Sequence, residues 1–276
     1  FVDILMNRIG IISGGGKLPL IIGQKLSTSK TKVIYFCIKN YCNQKDYKNL
    51  LFESISINSL GNILKILRKN KINKIVMAGN IRRPSIKDIK FDFHSLKLIK
   101  NFALDSKGDD KLLSAISIFF KNSGFSILNW QKKCKDIFIQ DDYVTKIKPS
   151  KEAMNNLKKG LSIFQTIGKA DLSQSMVVQN RIVLGLEAAE GTDELIKRCF
   201  KYKKLGDKGI LIKLSKHNQS TKFDVPVIGL NTVKIIKKYN YEGIFLEKNK
   251  CIILEKERVI KFCNLNNIFI SSTIKN

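Results

Sequence analysis

Five short stretches combine residue types and spacings suited to chemistry on a phosphorylated ligand. The first is "SGGGKLP" (13–19), in which Gly14, Gly15 and Gly16 follow an apolar run and precede Lys17. Glycines let backbone N–H groups approach an anion, and a helix starting here would aim its positive end at the same place. The stretch is not a P-loop, because Leu18 follows Lys17 and the glycines lack the required spacing. Nor does it hold the third glycine of a dinucleotide fingerprint. A plain tight turn between strand and helix explains it equally well.

The second stretch, "MAGNIRRPS" (77–85), places Gly79, Asn80, Arg82 and Arg83 after an apolar run, where an arginine pair can grip phosphate or carboxylate. A solvated capping loop is the simpler alternative. In "DSKGDDKLL" (105–113), Lys107 and Gly108 suit an anion. Asp109 and Asp110 suit a helix start, or Asp109 could approach a cation. The fourth, "LEAAEGTDEL" (186–195), crowds Glu187, Glu190 and Asp193 around Gly191, with Thr192 expected as helix N-cap. Glu187 ends an apolar strand, and a carboxylate there needs a cation or hydrogen bonds to offset its desolvation. In the fifth, "KFDVPVIG" (222–229), Asp224 stands before a Val-Pro pair with Lys222 close by, a pattern that is most often a turn.

These stretches must be positioned by the elements around them. In the first half, strands are expected over 8–13, 31–38, 52–57 and 73–80, and helices over 18–27 and 61–70. Such alternation predicts a parallel sheet, whose ligands bind beyond the carboxyl ends of the strands. Both "SGGG" and "AGN" fall at such ends. Residues 91–122 read as helical and 124–128 as a short strand. Residues 129–150 lose periodicity and end in Pro149-Ser150. That divides the chain into a domain over 6–130, a linker over 131–149 and a second domain over 150–276, with residues 1–5 before Met6 set aside.

The second domain is expected to open with a helix over 150–167 capped by Ser150. Paired strands over 175–190 follow, joined by a Gln179-Asn180 turn, and then a helix from "EGTDELIKRCF". A strand over 209–215, a helix over 231–239, a hairpin over 243–255 and a closing helix and strand complete it. The fold class is therefore α/β, a parallel-sheet domain followed by a mixed α/β domain, with an active site expected in a cleft between them.

Composition limits the partners. The formal net charge is +27, but only seven of 50 basic residues are arginine, and the lysines are scattered among Ile and Asn. Sequence-reading nucleic-acid binders rely on arginine forks, so codon bias explains the charge better than a nucleic-acid partner. A weak pull toward anionic lipid headgroups still follows. The six cysteines form no CxxC and read as reduced thiols, and two histidines far from any cysteine pair do not suggest zinc. No segment reads as a signal peptide, and no apolar run is long enough to cross a membrane.

Taken together, "IGIISGGGKLP", "MAGNIRRP", "KGDDKLL", "ADLSQSMVV" (170–178), "EAAEGTDEL" and "FDVPVIGLNTV" resemble the UDP-2,3-diacylglucosamine pyrophosphatases of the LpxI type, in the family's order. The resemblance implies a Rossmann-like N-terminal domain, a second α/β domain and an active site between them. It implies Mg²⁺-dependent hydrolysis of UDP-2,3-diacylglucosamine to UMP and 2,3-diacylglucosamine 1-phosphate, in lipid A biosynthesis. The family's critical aspartate maps onto Asp224, as catalytic residue and metal ligand, with Asp193 and Glu190 as further ligands. Gly14, Gly15, Gly16, Gly79, Asn80, Lys107, Asp109, Gln174, Glu187, Gly191, Thr192 and Lys216 are implied to line the substrate site.

The family usually has GQG where this chain has Ser173-Gln174-Ser175, Lys-Pro where it has Lys216-His217, and Asp at Ser220. The implied setting is cytoplasmic, with weak peripheral contact at the inner membrane and a homodimer allowed. The competing expectation is a nucleotide-sugar or lipid-binding protein of the same fold without catalysis.

Overall fold

The computed structural model describes residues 7–57, 59–81, 109–167, 173–215 and 225–273. These form two compact units, one built from the chain up to Cys134 and the other from Lys135 onward. Among the described residues no helix is long and apolar enough to cross a membrane.

The first unit carries a five-stranded parallel sheet of β1 (Asn7–Ser13), β2 (Thr31–Ile38), β3 (Phe52–Ile55), β4 (Lys74–Ala78) and β5 (Ser126–Ile127), in the order β3-β2-β1-β4-β5. Strands of a parallel sheet covered on both faces read as continuous apolar runs rather than alternating ones. "IGIIS" and "VIYFCI" do so, and both are buried throughout. Helix α1 (Leu18–Leu26) tolerates Pro19 in its first turn, where no intrahelical N–H is needed. Helix α2 (Leu60–Lys69) is capped by Ser59, whose hydroxyl accepts the Asn62 N–H at 3.3 Å. Its Ile63, Leu64 and Leu67 pack with Phe36, Ile75 and, from α3 (Asp109–Asn122), Phe120. Because β1 has β2 on one side and β4 on the other, chain crossovers leave it in opposite directions. The gap beyond the carboxyl ends of β1 and β4 is thus the sheet's topological switch point, where open α/β sheets bind ligands.

The second unit has a mixed sheet of β6 (Ser175–Gln179), β7 (Ile182–Leu186), β8 (Ile210–Lys213), β10 (Gly243–Glu247) and β12 (Phe269–Thr273), ordered β12-β10-β8-β6-β7. The strands β12, β10 and β8 are parallel, whereas β6 is antiparallel to both β8 and β7. Along β8, Ile210 and Ile212 pack on one face with Ala153, Leu157 and Phe164 of α4 (Lys151–Ile167). Leu211 faces the other side, toward α5 (Thr192–Phe200), α6 (Leu230–Lys238) and α7 (Lys256–Leu265). Ser150 caps α4 as its residue type predicts, accepting the Ala153 N–H at 3.0 Å.

Two sequence expectations in this unit are corrected. The stretch 243–255 is not a hairpin: β10 pairs in parallel with β12 and β8, while β11 (Ile252–Ile253) pairs in parallel with β9 (Val227–Ile228) in a separate ribbon. The turn around Asn249 has hairpin chemistry, but every residue of "GIFLE" is buried, as befits a central strand without a solvated face. The β6–β7 turn lies at Asn180-Arg181, one residue beyond the expected place. Both residues have positive φ (50° and 60°), the geometry of a two-residue hairpin loop, and Gln179 remains in the ladder opposite Ile182. Residues 135–149, aperiodic in sequence, belong to this unit rather than forming a free linker. Ile139 is fully buried and exchanges backbone hydrogen bonds with Cys251 and Asn249, and Val144 N–H donates to Ile270.

All six cysteines are free. Burial pushes Cys199 up to about 11 and Cys263 up to about 12, so these are packed thiols, not nucleophiles.

Candidate functional site

At the switch point of the first unit, the turns after β1 and β4 are joined backbone to backbone. Gly14 N–H donates to the Ala78 carbonyl (2.8 Å), Gly15 N–H to Asn80 (2.8 Å), and Asn80 N–H back to Gly15 (2.9 Å). This corrects the expectation that Gly14 and Gly15 amides cradle a phosphate, since both are already committed to carbonyls. These glycines serve close approach instead. A Cβ on Gly14 would lie 2.7 Å from the Asn80 carbonyl oxygen, and one on Gly79, at φ +95°, 2.7 Å from that of Gly15. Gly16 differs, because nothing lies within 4 Å of its Cβ position and it is exposed beside Lys17 at the start of α1. Asn80 is an exposed residue whose backbone makes the bridge.

In the second unit the corresponding place is built from side chains. Lys213 ends β8 opposite Ser175, the first residue of β6. Its side chain is 5% exposed. Nζ donates to Thr192 Oγ1 at 2.6 Å and Ser175 Oγ at 3.1 Å, and lies 3.5 Å from Glu187 Oε2. Thr192 in turn donates its hydroxyl hydrogen bond to Glu187 Oε1 at 3.0 Å, and Glu187 N–H donates to the Ser175 carbonyl at 2.8 Å. The counter-charge that Glu187 requires is thus a buried lysine. Sequence reasoning passed over Lys213, although a signal existed: a lysine inside "GILIKLS", on the same strand face as the core residue Leu211.

Thr192 is not the N-cap of α5, a further correction. Gly191 (φ 85°) takes that position and Thr192 is the first helical residue. Its hydroxyl cannot cap because it is engaged with Lys213 and Glu187. The other two carboxylates of the turn have separate partners. Glu190 pairs with Arg198 (Nη2 at 2.6 Å, Nε at 3.2 Å) and accepts the Ala188 N–H at 3.0 Å. Burial pulls the Glu190 carboxyl upward, but the Arg198 and backbone hydrogen bonds outweigh it and hold the group below its ordinary range. Asp193 accepts from Asn231 Nδ2 (2.5 Å) and Thr232 Oγ1 (2.9 Å) in the first turn of α6. Buried Glu247, at the end of β10, accepts both the N–H and the hydroxyl of Ser215 at 2.6 Å each. The Gln174 carbonyl accepts Leu214 N–H at 2.8 Å, which sets Gln174 at the same sheet edge.

The structure therefore gathers Gly14, Gly15, Gly79 and Asn80 in one unit, and Gln174, Glu187, Gly191 and Thr192 in the other. Lys107, Lys216 and Asp224 lie outside the described residues, as do Arg82, Arg83 and Lys222. Asp109 is the first residue of α3. Among the described residues no three His, Cys, Asp or Glu side chains gather as they would around a metal. A concavity of ≈ 400 Å³ lined by Ser150, Glu152, Gly206, Asp207, Lys208 and Glu242 shares no residue with these motifs.

Two family models divide the chain near the boundary between its units. The LpxI N-terminal domain matches residues 8–137 and the LpxI C-terminal domain residues 140–271. The chain belongs to the LpxI family. Along its length it is 26% identical to the UDP-2,3-diacylglucosamine pyrophosphatase LpxI of Caulobacter vibrioides, over 272 residues that cover 96% of this chain and 97% of that protein. For an LpxI-family chain, the backbone-built turn pair of the first unit and the Lys213 network of the second each fall within one family domain.

Proposed function

We propose that the protein hydrolyses UDP-2,3-diacylglucosamine with water, releasing UMP and 2,3-diacylglucosamine 1-phosphate in a Mg²⁺-dependent reaction of lipid A biosynthesis. The observation that carries this is the near end-to-end match to a relative named as that pyrophosphatase, with both LpxI domains present. Diphosphate hydrolysis needs charge neutralised on phosphate oxygens and a placed water. In this reading Asp224 is the catalytic carboxylate, while Lys107 and Lys216 neutralise phosphate. Gly16 and Asn80, both exposed residues at the switch point, meet phosphate or uridine.

The two carboxylates expected beside Asp224 differ in fitness for Mg²⁺. Asp193 oxygens each accept one neutral hydrogen bond and keep a lone pair, so Asp193 fits as a second ligand. Glu190 is engaged by Arg198, which a metal would have to displace, and it fits poorly. Bound Mg²⁺ would supply Lewis acidity and a more acidic water. The Lys213 network holds the turn that carries Asp193 at the start of α5, so Thr192 and Glu187 position and do not bind substrate. A cytoplasmic setting at the inner membrane belongs to the same reading.

The test compares UMP release by the wild-type chain with three variants across a Mg²⁺ titration. Asp224→Ala is expected to lose at least ~10²-fold in turnover with folding retained. Asp193→Asn is expected to raise the Mg²⁺ requirement, and Glu190→Gln to leave it unchanged. An Asp224→Ala protein with undiminished turnover would remove the catalytic assignment. Tight substrate binding without wild-type turnover would favour the non-catalytic alternative.

A further inference from the structure

The loop that follows α5, "KYKKLGDK" (201–208), is braced far more heavily than a solvent loop of its length requires. Buried Gln179 donates to the Lys204 and Asp207 carbonyls (2.9 and 2.6 Å) and accepts the Lys204 N–H (2.9 Å). Asn180 donates to the Leu205 carbonyl (2.9 Å) and accepts the Asp207 N–H (3.0 Å). The Asp207 carboxylate turns inward, accepting from Asn156 Nδ2 (3.0 Å), Asn180 N–H (2.8 Å) and Gly209 N–H (2.7 Å). Buried Asn156 accepts the Arg181 N–H at 2.6 Å, which ties in the β6–β7 turn. Loop and turn are therefore one hydrogen-bonded body.

What this body presents is unusual. Leu205 is fully exposed, and Tyr202 and Ile182 are more than half exposed. Arg181, Lys201, Lys204 and Lys208 are exposed alongside them, while the loop's only carboxylate, Asp207, is engaged inward. A single exposed leucine on a loose loop needs no explanation. A fully exposed leucine on a braced support, with exposed lysines on either side of it in sequence and the loop's own acid turned inward, is complementary to a surface that is apolar beneath and anionic above. An anionic bilayer has that profile: leucine and tyrosine enter the boundary of headgroups and acyl chains, and lysines meet phosphates. Rigidity lowers the ordering cost of docking, and the +27 net charge adds long-range attraction.

We propose that the braced loop 201–208, with the Asn180-Arg181 turn, docks the protein on anionic lipid bilayers. This deepens the proposed function, on which it rests for the lipid character of the substrate, but its readout does not involve turnover. The full chain is mixed at ~0.15 M salt with vesicles of phosphatidylcholine alone or with phosphatidylglycerol, and floated. The wild type is expected on the anionic vesicles and not on the neutral ones. Leu205→Ser with Tyr202→Ser is expected to lower partition about tenfold. Replacing Lys201, Lys204 and Lys208 together with Gln is expected to lower it roughly 10²-fold, about fivefold per lysine. Lys45, Lys65 and Lys69, exposed in the first unit, provide a charge-matched control whose replacement leaves most binding intact.

Equal losses from the two lysine triples would overturn the proposal, because net charge alone would then act. So would a wild type that floats with neither vesicle, or Leu205 and Tyr202 variants that partition unchanged. If those variants instead lose a dimer in sedimentation with vesicle binding intact, the surface pairs two copies and the proposal fails. All substituted side chains are exposed, so an unchanged thermal midpoint verifies the fold of each variant. Hydrolysis in nonionic detergent is expected to be unaffected by Leu205→Ser, which separates failure of docking from failure of the proposed reaction.

Discussion

The two units solve the same problem, holding turns at the ends of strands, by opposite means. In the first, the turns after β1 and β4 are joined by backbone hydrogen bonds and by glycines that let two main chains nearly touch. In the second, β6, β7, β8 and the start of α5 are joined by a buried ammonium, a carboxylate and two hydroxyls. A backbone lock tolerates no added atom but carries no net charge. A side-chain lock tolerates shape changes around it but depends on keeping its charges balanced. The two should therefore break under different substitutions.

The largest effect is expected at Lys213. Lys213→Met leaves the Glu187 carboxylate buried without its counter-charge, at a cost of about 3–5 kcal/mol in urea unfolding. Lys213→Met with Glu187→Gln removes both charges and should recover most of that loss. A double variant no more stable than the single would show that charge balance is not what holds the second lock. Next is Gly79→Ala, expected to cost about 2–4 kcal/mol, because a Cβ at positive φ would also strike the Gly15 carbonyl. Gly16→Ala shares the positive φ but has open space, so only about 1 kcal/mol is expected. Equal costs at Gly16 and Gly79 would mean that close approach plays no part in the first lock.

Thr192→Val comes third, at about 1–3 kcal/mol, because it removes the acceptor of Lys213 and the donor to Glu187 together. The smallest effect concerns acid stability at Glu190. Its carboxyl is held below the ordinary value of 4.5, so its stabilising contribution is present above that pH. That contribution is lost as pH falls through the lower folded value. Glu190→Gln should lower stability slightly at neutral pH, converge with the wild type in acid and so flatten the acid limb of the stability profile below about pH 5. The exposed Arg198 pair should lose part of its worth in high salt.

The contrast also explains what could be read from the chain. The strand over 31–38 coincides with β2, and α1 and α2 lie within a residue of their expected bounds. Buried parallel strands punctuated by glycine declare themselves locally. The misreadings share one cause, that a partner in space lies far off in sequence. Gly14 and Gly15 have the right composition for an anion cradle, and only the arrival of residues 78–80 beside them shows that their amides are occupied. Thr192 has the right type for a cap, but Lys213 from β8 claims its hydroxyl. The apolar run of β10 reads as half of a hairpin because its neighbours in the sheet, β8 and β12, are distant in the chain. Glu187 was legible as a residue in need of a cation, while the cation's identity was not. The motif residues Lys107, Lys216 and Asp224 lie outside the described residues, and their roles stand on the family resemblance.

The most direct measurement of the central claim is product analysis of the purified wild-type chain with UDP-2,3-diacylglucosamine, with Mg²⁺ present or chelated. The predicted result is release of UMP and 2,3-diacylglucosamine 1-phosphate in equal amounts with Mg²⁺ and neither when it is removed. Folded protein that leaves the substrate intact with Mg²⁺ present, or releases UDP in place of UMP, would contradict it.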